Sequence, residues 1–250
     1  MLLQGKNAVI YGGGGAIGGG VARTFGREGA RVFLAGRTLS KLEAVADDIR
    51  SAGGQADTAE VDALDEKAVD EHADAVAAEA GSLDISFNLI TQPAVHGTPL
   101  ADMKLDDFMD PIVTAVSSAF LTSRAAARHM IRQGSGVILT FGGSGDPMRE
   151  YYIGGTQVAF EALEVLRKQL AVELGRHGIR TVTLRSGGVP ETLPEFEGRE
   201  AVLELMEKEK ILPNHPTLED VGNVAAFVAS DKARTMTVAT VNVSSGALID

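Results

Sequence analysis

The sequence predicts an α/β fold built on a doubly wound, seven-stranded parallel sheet with helices on both faces. Short apolar runs alternate with longer stretches of helical period along the 250 residues, which is typical of helices packed on a parallel sheet. No Pro/Ser-rich linker or charge block divides the chain, so we expect a single domain spanning residues 1–250. The hydrophobic fraction of 44% is sufficient for a sizeable core.

Seven apolar runs are the predicted strands. They lie at residues 8–11, 31–35, 56–61, 83–88, 136–141, 179–184 and 239–243. Between them, apolar residues recur at helical spacing, as in 42–49 and 69–80, which predicts about six helices. Right-handed crossovers are expected to join the strands. Ligands of such sheets bind beyond the carboxyl ends of the strands, so the loops after the strands are the candidate functional regions.

Composition narrows the class of function. The 23 Lys and Arg against 34 Asp and Glu give a net charge of −11, which argues against a nucleic-acid groove. The chain has no Cys, which excludes disulfides, thiolate nucleophiles and zinc–thiolate sites, and its five His show no metal-binding spacing. No apolar stretch approaches the roughly 20 residues that span a bilayer. We therefore expect a cytoplasmic protein that acts on a small molecule without metal or membrane.

A segment at about 190–216 interrupts the alternation of strands and helices. Residues 199–210 have a charged, helical pattern, and Pro190 and Pro216 bound the segment. Two interpretations are equally open. The segment is either a mobile lid over the site or a solvated excursion.

A glycine run follows the first strand and opens the first helix, as Gly12-Gly13-Gly14-Gly15-Ala16-Ile17-Gly18-Gly19-Gly20. Glycines allow a pyrophosphate to approach the backbone closely, and the N–H groups at a helix start bind its negative charge. The order of strand, loop and helix favours dinucleotide binding over a plain flexible turn. A Rossmann-type sheet is therefore expected, and the cofactor-binding candidates in this run are Gly12, Gly14, Gly15, Ala16, Ile17 and Gly18.

The residues after the second and third strands indicate which dinucleotide binds. Where a carboxylate would accept the ribose hydroxyls of NAD, the chain has Gly36 and Arg37. Without that carboxylate a 2′-phosphate is not repelled, and a guanidinium can bind it in fork geometry. We expect NADP(H) in preference to NAD(H), the alternative being that Arg37 is an ordinary surface arginine. Asp62, followed by Ala63, is placed to accept from the adenine amino group.

With these features, the chain resembles the short-chain dehydrogenases/reductases over essentially its whole length. The glycine loop corresponds to the family's Thr-Gly-x-x-x-Gly-x-Gly, and residues 170–180 and 187–192 match two further family segments. The resemblance implies that Val189 faces the nicotinamide carboxamide and that Thr192 contacts the phosphates or that amide. Asn88-Leu89-Ile90-Thr91 replaces the family's Asn-Asn-Ala-Gly, and Leu89 is a further cofactor-binding candidate.

The resemblance also implies a catalytic tetrad of Asn, Ser, Tyr and Lys. In it the Tyr donates a proton, and the Lys four residues later lowers the pKa of that Tyr and holds the nicotinamide ribose. Counting back from 170–174 without a gap puts the Ser, Tyr and Lys positions at Gly143, Thr156 and Phe160, and working back from Phe120 puts the Asn position at Ala115. A Thr hydroxyl is a far weaker acid than a phenol, and Phe carries no charge. We therefore expect an atypical active site that lacks the tetrad.

Few residues are candidate replacements for the lost proton donor. Tyr151 and Tyr152 precede the helix that carries Thr156, and enoyl reductases of the same superfamily also displace their Tyr upstream, although they keep the Lys. Tyr152 is the favoured donor, and a packed loop or subunit contact is the alternative role of this pair. Ser144, one residue past the Ser position, could swing into the site, and Thr156 itself retains a hydroxyl.

Two functions remain open. One is an NADP(H)-dependent oxidoreductase acting on a small carbonyl or enoyl substrate, with the hydride chemistry supplied by the cofactor. The other is a cofactor-binding but non-redox protein, either a sensor module or a cyclase or isomerase, because fold alone does not fix function.

Helices at 104–132 and 156–175 carry more apolar and small residues than one core-facing stripe needs. In the family these helices pack between subunits, so we expect a homo-oligomer, either a dimer or a homotetramer.

Overall fold

The computed structural model describes residues 1–143, 146, 152–196 and 198–249. In this part of the chain the strands are β1 (Asn7–Tyr11), β2 (Arg31–Gly36), β3 (Gln55–Glu60), β4 (Ile85–Asn88), β5 (Gly136–Gly142), β6 (Ile179–Arg185) and β7 (Ala239–Asn242). They form one parallel sheet in the order β3-β2-β1-β4-β5-β6-β7, which confirms the predicted fold class. The order reverses between β1 and β4, so ligands are expected at the carboxyl ends of these two strands.

The described ranges contain seven α-helices, whereas the sequence predicted about six. They are α1 (Ala16–Arg27), α2 (Leu39–Ser51), α3 (Glu66–Ala80), α4 (Leu105–Gln133), α5 (Thr156–Leu174), α6 (Arg199–Glu209) and α7 (Leu218–Ala229). The helix that was not predicted is α7, although Thr217 and Asp220 form a capping box at its start. None of the described helices combines the length and the apolarity needed to cross a membrane.

The core lies in two layers, one on each face of the sheet. Helices α1, α2 and α7 cover the layer that contains Ile10 and Leu34, whereas α3, α4 and α5 cover the layer that contains Val9 and Phe33. Successive residues of a strand point to opposite faces, and both faces of central strands such as β1 and β2 are buried. This is why these strands are nearly continuous apolar runs in the sequence, whereas the edge strand β3 is half polar and only partly buried.

Helices α1 and α7 cross at short distance because glycines lie at their contact. A Cβ added at Gly20 would lie 3.0 Å from the Cβ of Leu218, and one at Gly222 would lie 2.3 Å from Oγ1 of Thr24. A larger residue at either glycine would force the helices apart. The position of α1, which begins at the glycine loop, is thereby fixed by α7.

The segment at 190–216 contains the predicted helix as α6, and none of residues 199–209 is fully buried. Both ends of the segment are tied to the rest of the fold. The Leu218 N–H donates to the Glu191 carboxylate, and the N–H groups of Ile211 and Leu212 both donate to the Ser245 carbonyl at 2.9 Å. A lid function for this segment stays a prediction.

Candidate functional site

Gly12 and Gly18 set the shape of the glycine loop. Gly12 has a φ of +83°, and a Cβ added there would lie 2.4 Å from the Leu89 carbonyl oxygen. A Cβ added at Gly18 would lie 2.1 Å from the Gly12 carbonyl oxygen, so both positions require glycine. Ala16, in contrast, is exposed at the start of α1, where its methyl group meets no obstacle.

Helix α1 begins with its amide groups open toward this loop. Its N-cap, Gly15, forms no side-chain capping hydrogen bond, and no acidic residue lies in the first turn. The N–H groups and the positive end of the helix dipole are therefore directed to the place that the glycines keep free of side chains. This arrangement suits an anionic group such as a pyrophosphate.

A cavity of about 490 Å³ lies beside the loop, at the carboxyl ends of β1 and β4. Loop 89–93 forms its far wall. Its size and mixed lining suit part of a dinucleotide, in particular the adenosine half. Seven of the predicted cofactor-binding residues line it together, namely Gly12, Gly14, Gly15, Arg37, Asp62, Ala63 and Leu89. The others lie outside its wall, namely Ala16, Ile17, Gly18, Val189 and Thr192.

Val189 and Thr192 form a tight turn after β6. The N–H and the hydroxyl of Thr192 both donate to the Val189 carbonyl, at 2.9 and 2.7 Å. Val189 is 2% exposed and packs in the core. The contacts of this turn with the nicotinamide half stay predictions.

Two cations stand where β2 meets α2. Arg37 is exposed at the cavity, and Lys41 lines the same cavity against the glycine loop, since a Cβ at Gly14 would lie 2.9 Å from its Cβ. Neither cation forms an ion pair or a side-chain hydrogen bond with another residue that the structure describes. The sequence analysis missed Lys41, although its spacing of four residues from Arg37 was a usable signal.

Asp62 and Asn88 shape the cavity wall in different ways. Oδ1 of Asp62 accepts the Leu64 N–H at 3.0 Å, which leaves its second carboxylate oxygen for a ligand. Asn88 donates to Ser118 and Thr122 on α4, both at 3.2 Å, and accepts the N–H of residue 90 at 3.0 Å. The Asn88 amide is therefore fully used in holding loop 89–93 against α4.

The second half of the site lies at the end of β5 and the start of α5. Thr156 is the first residue of α5, and Phe160 follows one turn later. The Phe160 ring packs on Gly142 and Gly143: an added Cβ at Gly143 would lie 2.6 Å from Cε2 of the ring, and one at Gly142 would lie 3.4 Å from Cδ1. The ring therefore occupies the space that a serine side chain at position 143 would need.

The Thr156 hydroxyl has no hydrogen-bond partner in the cleft between the end of β5 and the start of α5. The residue is 7% exposed, and its Oγ1 is buried without a hydrogen-bond partner in the described part of the chain. An unsatisfied buried polar group costs about 1–3 kcal/mol, which a ligand oxygen could relieve. Nearby, Ala115 packs with Ala159 and Leu163 in an apolar cluster between α4 and α5.

The predicted proton donors are only partly placed. Tyr151 and Ser144 lie outside the described residues. The Tyr152 side chain is 49% exposed, and its carbonyl accepts the Gly97 N–H at 2.8 Å, which joins the segment before α5 to the loop after β4. Burial lowers the pKa of the adjacent His96. Among the residues described, no group of three or more His, Asp or Glu side chains could hold a metal ion.

A polar ladder joins α5 to the strands below the cleft. The Thr181 hydroxyl donates to the Arg167 carbonyl at 3.2 Å, and the Thr183 and Thr140 hydroxyls are 2.8 Å apart. Burial alone would raise the pKa of the Glu164 carboxyl, but hydrogen bonds from Arg167 and Thr183 and the Arg167 charge outweigh burial and lower that pKa. Arg167 and the Thr240 hydroxyl both donate to Oε2 of Glu164, whereas Oε1 of Glu164 and Nη1 of Arg167 are buried without a partner in the described part of the chain.

Comparisons with known proteins converge on one family. The family model described as "Enoyl-(Acyl carrier protein) reductase" matches residues 14–247. Oxidoreductase asL5 from Sarocladium schorii is 31% identical over 249 residues, which cover 98% of this chain and 96% of that protein. The 3-oxoacyl-[acyl-carrier-protein] reductase FabG of Rickettsia conorii is 28% identical over 255 residues, covering 99% and 98%. A crystal structure of a short-chain type dehydrogenase/reductase from Mycobacterium marinum superposes with a TM-score of 0.88 at 28% identity, covering 99% and 97%.

Proposed function

The chain belongs to the short-chain dehydrogenase/reductase family of oxidoreductases, whose members use NAD(P)(H), and we propose that it reduces a small carbonyl or enoyl substrate with NADP(H) at a non-standard active site. The observation that carries this proposal is the cavity of about 490 Å³ in which the glycine loop, Arg37 and Lys41 meet. The names of the relatives support a carbonyl or enoyl substrate, since one is a 3-oxoacyl reductase and the family description names an enoyl reductase.

The charge at the end of β2 supports NADP(H) over NAD(H). Arg37 and Lys41 offer two cations at the cavity, and β2 ends in Gly36 where a carboxylate would favour NAD. A guanidinium binds a phosphate in a bidentate fork, and a lysine adds a point charge. Arg37 and Lys41 together would hold a 2′-phosphate.

The cleft residues would orient the substrate and provide its proton. The bound cofactor supplies the hydride. The unsatisfied Thr156 hydroxyl would donate to the substrate oxygen, and the Phe160 ring would form an apolar wall that excludes water. Tyr152, exposed at the mouth of the cleft, is the proposed proton donor, with Tyr151 and Ser144 as the further candidates.

Binding and turnover experiments test this proposal. NADPH should bind at least about tenfold tighter than NADH, corresponding to 1.4 kcal/mol or more. In assays over a panel of carbonyl and enoyl compounds, Tyr152→Phe should lower turnover by about 10²- to 10⁴-fold, the usual range for a general acid. Phe227→Leu, an exposed aromatic on α7, is the matched control and should leave turnover unchanged.

A second function is favoured by one observation, the benzyl ring of Phe160 that fills the cleft beside Gly143. Such an apolar filling suits a cofactor-binding protein without redox turnover, either a sensor module or a cyclase or isomerase. Stoichiometric NADPH binding without oxidation across the whole panel would favour this second function and count against the first.

The proposal includes a homo-oligomer, either a dimer or a tetramer, formed through α4 and α5. Exposed valines recur at every seventh residue of α5, at Val158, Val165 and Val172, and Val113 and Phe120 have the same spacing on α4. This spacing places them along one face of each helix. Light scattering should report an oligomer for the wild type and a smaller species for Val165→Lys. A monomeric wild type would contradict the oligomer.

A further inference from the structure

A second cavity, of about 300 Å³, lies at the amino ends of the strands, at the opposite end of the sheet from the glycine loop. Lys6 lies just before β1, Asp84 just before β4, and Arg180 near the start of β6. The turn after α7, with Asp231 and Arg234, forms another part of the wall. The volume is at the lower end of the range for small-molecule sites. The apolar part of the lining comes from Ile85, Val137, Ile179 and Ala229.

Arg180 brings a positive charge to this cavity that the fold does not neutralise. Its guanidinium donates to the Met236 and Ser230 carbonyls, both at 3.1 Å, and it forms no ion pair with a carboxylate among the described residues. The two carbonyl bonds fix the orientation of the group and leave three of its five N–H donors. Burial lowers the pKa of Arg180, and the charge of Asp231 only partly offsets that effect. An anion beside the guanidinium would therefore be stabilising.

Two further cations line the same cavity. Arg234 is exposed, and its guanidinium forms no ion pair or hydrogen bond with another residue that the structure describes. Nζ of Lys6 lies 3.4 Å from Oδ1 of Asp231, whose side chain is 87% exposed. An ion pair with so exposed a partner contributes little to stability. Arg234 is therefore free to bind a ligand, and Lys6 can turn from Asp231 to a more highly charged group.

Carboxylates offset only part of this positive charge. Of the charged residues on the cavity, three are cations and two are carboxylates. Oδ2 of Asp84 accepts the Asn7 N–H and the Ser82 hydroxyl, both at 2.8 Å, and no described residue donates to Oδ1. That second oxygen can accept a hydroxyl group of a ligand. In a chain with a net charge of −11, a cavity with an excess of cations is a local exception that attracts an anion.

We propose that this cavity binds a small phosphate monoester that also carries a hydroxyl group. The site is separate from the cofactor cavity, so it does not depend on the proposed function. Arg180 and Arg234 can each bind phosphate oxygens through paired N–H groups, and Lys6 adds a point charge. The ligand hydroxyl would donate to Oδ1 of Asp84, and the apolar lining would contact the carbon skeleton. A carboxylate carries a single charge and would engage fewer of the cations.

Isothermal titration calorimetry with glycerol 3-phosphate, in the presence of saturating NADPH, tests the proposal. Bound NADPH occupies the phosphate-binding groups of the cofactor cavity, so further binding reports the second cavity. The wild type should bind glycerol 3-phosphate with a Kd below about 10 mM and glycerol at least about tenfold more weakly. Arg234→Gln should weaken the binding of glycerol 3-phosphate at least about fivefold. Asp231→Asn should strengthen it, because it removes a competing carboxylate and releases Lys6.

Lys232→Gln is the matched control. Lys232 is exposed in the same turn as Arg234 but does not line the cavity, so the variant makes the same charge change and should keep the wild-type affinity. No saturable binding by the wild type up to about 10 mM overturns the proposal. Equal binding by the wild type and Arg234→Gln overturns it as well, and so do equal losses in Arg234→Gln and Lys232→Gln, which would report net charge only.

A failure of the proposed function leaves this test intact. If the wild type binds no NADPH, the titration is made without it and Arg37→Gln is added. Binding of glycerol 3-phosphate that is lost in Arg37→Gln but kept in Arg234→Gln lies in the cofactor cavity and overturns the proposal. Binding that is lost in Arg234→Gln and kept in Arg37→Gln supports the second cavity, whatever the result with NADPH.

Discussion

The ring of Phe160 lies so close to Gly143 that a Cβ on the glycine would come within 2.6 Å of Cε2 of the ring. These are the positions that the family resemblance assigns to the lysine and the serine of the tetrad. The large side chain of Phe160 on α5 therefore requires a residue without a side chain at position 143, because two side chains there would compete for the same volume.

The first prediction follows from this competition. Gly143→Ser should destabilise the protein by about 1–3 kcal/mol, the usual cost of overpacking a well-filled site. Phe160→Ala removes the obstructing ring, so the double variant should show a coupling of at least about 0.5 kcal/mol in a double-mutant cycle. Urea unfolding of the wild type, the two single variants and the double variant measures this coupling. Strictly additive effects would mean that the two side chains do not compete.

The second prediction concerns Arg37. Arg37→Gln should weaken the binding of 2′,5′-ADP by about 10- to 100-fold, because a charge-assisted hydrogen bond contributes about 1.5–3 kcal/mol. Lys41→Gln should have a smaller effect, since a lysine cannot form the bidentate fork. Affinity for NADH should not change in either variant. Arg176→Gln, in the turn after α5, is the control. A normal affinity of Arg37→Gln for 2′,5′-ADP would contradict the role of Arg37.

The third prediction concerns the nicotinamide half of the cofactor. The family resemblance puts Phe160 at the position of the lysine that holds the nicotinamide ribose, and a phenyl ring offers no hydrogen bond to that ribose. NADPH and 2′,5′-ADP should therefore bind with affinities within about threefold of each other, or about 0.7 kcal/mol. Phe160→Lys should raise the affinity for NADPH and leave that for 2′,5′-ADP unchanged. A large advantage of NADPH in the wild type would show that other residues hold the nicotinamide half.

The fourth prediction is an acid sensitivity that originates at His72. Its ring packs edge-on against Tyr11, with centroids 5.8 Å apart, and burial lowers the pKa of His72 to about 4. The unfolded chain has a His pKa of about 6.5, so between these values the unfolded state binds more protons and stability falls as the pH falls. The loss between pH 7.5 and pH 5 should be about 2 kcal/mol.

Urea unfolding at the two pH values measures this loss. His72→Leu should remove the corresponding part of the pH dependence, whatever its effect on stability at pH 7.5. His177→Leu, in the turn after α5, is the matched control and should retain the wild-type dependence. An unchanged pH dependence in His72→Leu would place the acid sensitivity elsewhere.

The fifth prediction concerns the buried ion pair of the polar ladder. Arg167→Met leaves the Glu164 carboxylate uncompensated and should cost about 3–5 kcal/mol of unfolding free energy. Replacing both partners, as in Glu164→Leu with Arg167→Met, should restore much of that loss, since an apolar pair of similar volume has no charge to desolvate. Lys168→Met, the exposed neighbour on α5, is the control for urea unfolding. A double variant that is less stable than Arg167→Met would contradict this prediction.

The fold was predictable from sequence because its central strands are buried on both faces and therefore read as continuous apolar runs. Helix α7 was missed although its sequence carried two usable signals. One is the capping box at Thr217 and Asp220, and the other is the helical spacing of its buried residues, 221, 222, 225, 226, 228 and 229.

The two halves of the site differ in how much the sequence could reveal. The glycine loop and Arg37 are local motifs, and the structure groups them in one cavity. Phe160 and Gly143 are 17 positions apart and become neighbours only because α5 packs against the end of β5. No spacing along the chain encodes that packing, so the contact of the ring with Gly143 could not be read from the sequence.

The interlocking glycines of α1 and α7 have a consequence for how a ligand is received. A helix that can neither roll nor slide keeps its amino end aimed at the same point whether or not an anion is there. The anion site is therefore already formed in the unliganded protein, and binding of a ligand should order little of the backbone. Amide exchange in the first turn of α1 should then be slow even in the empty protein.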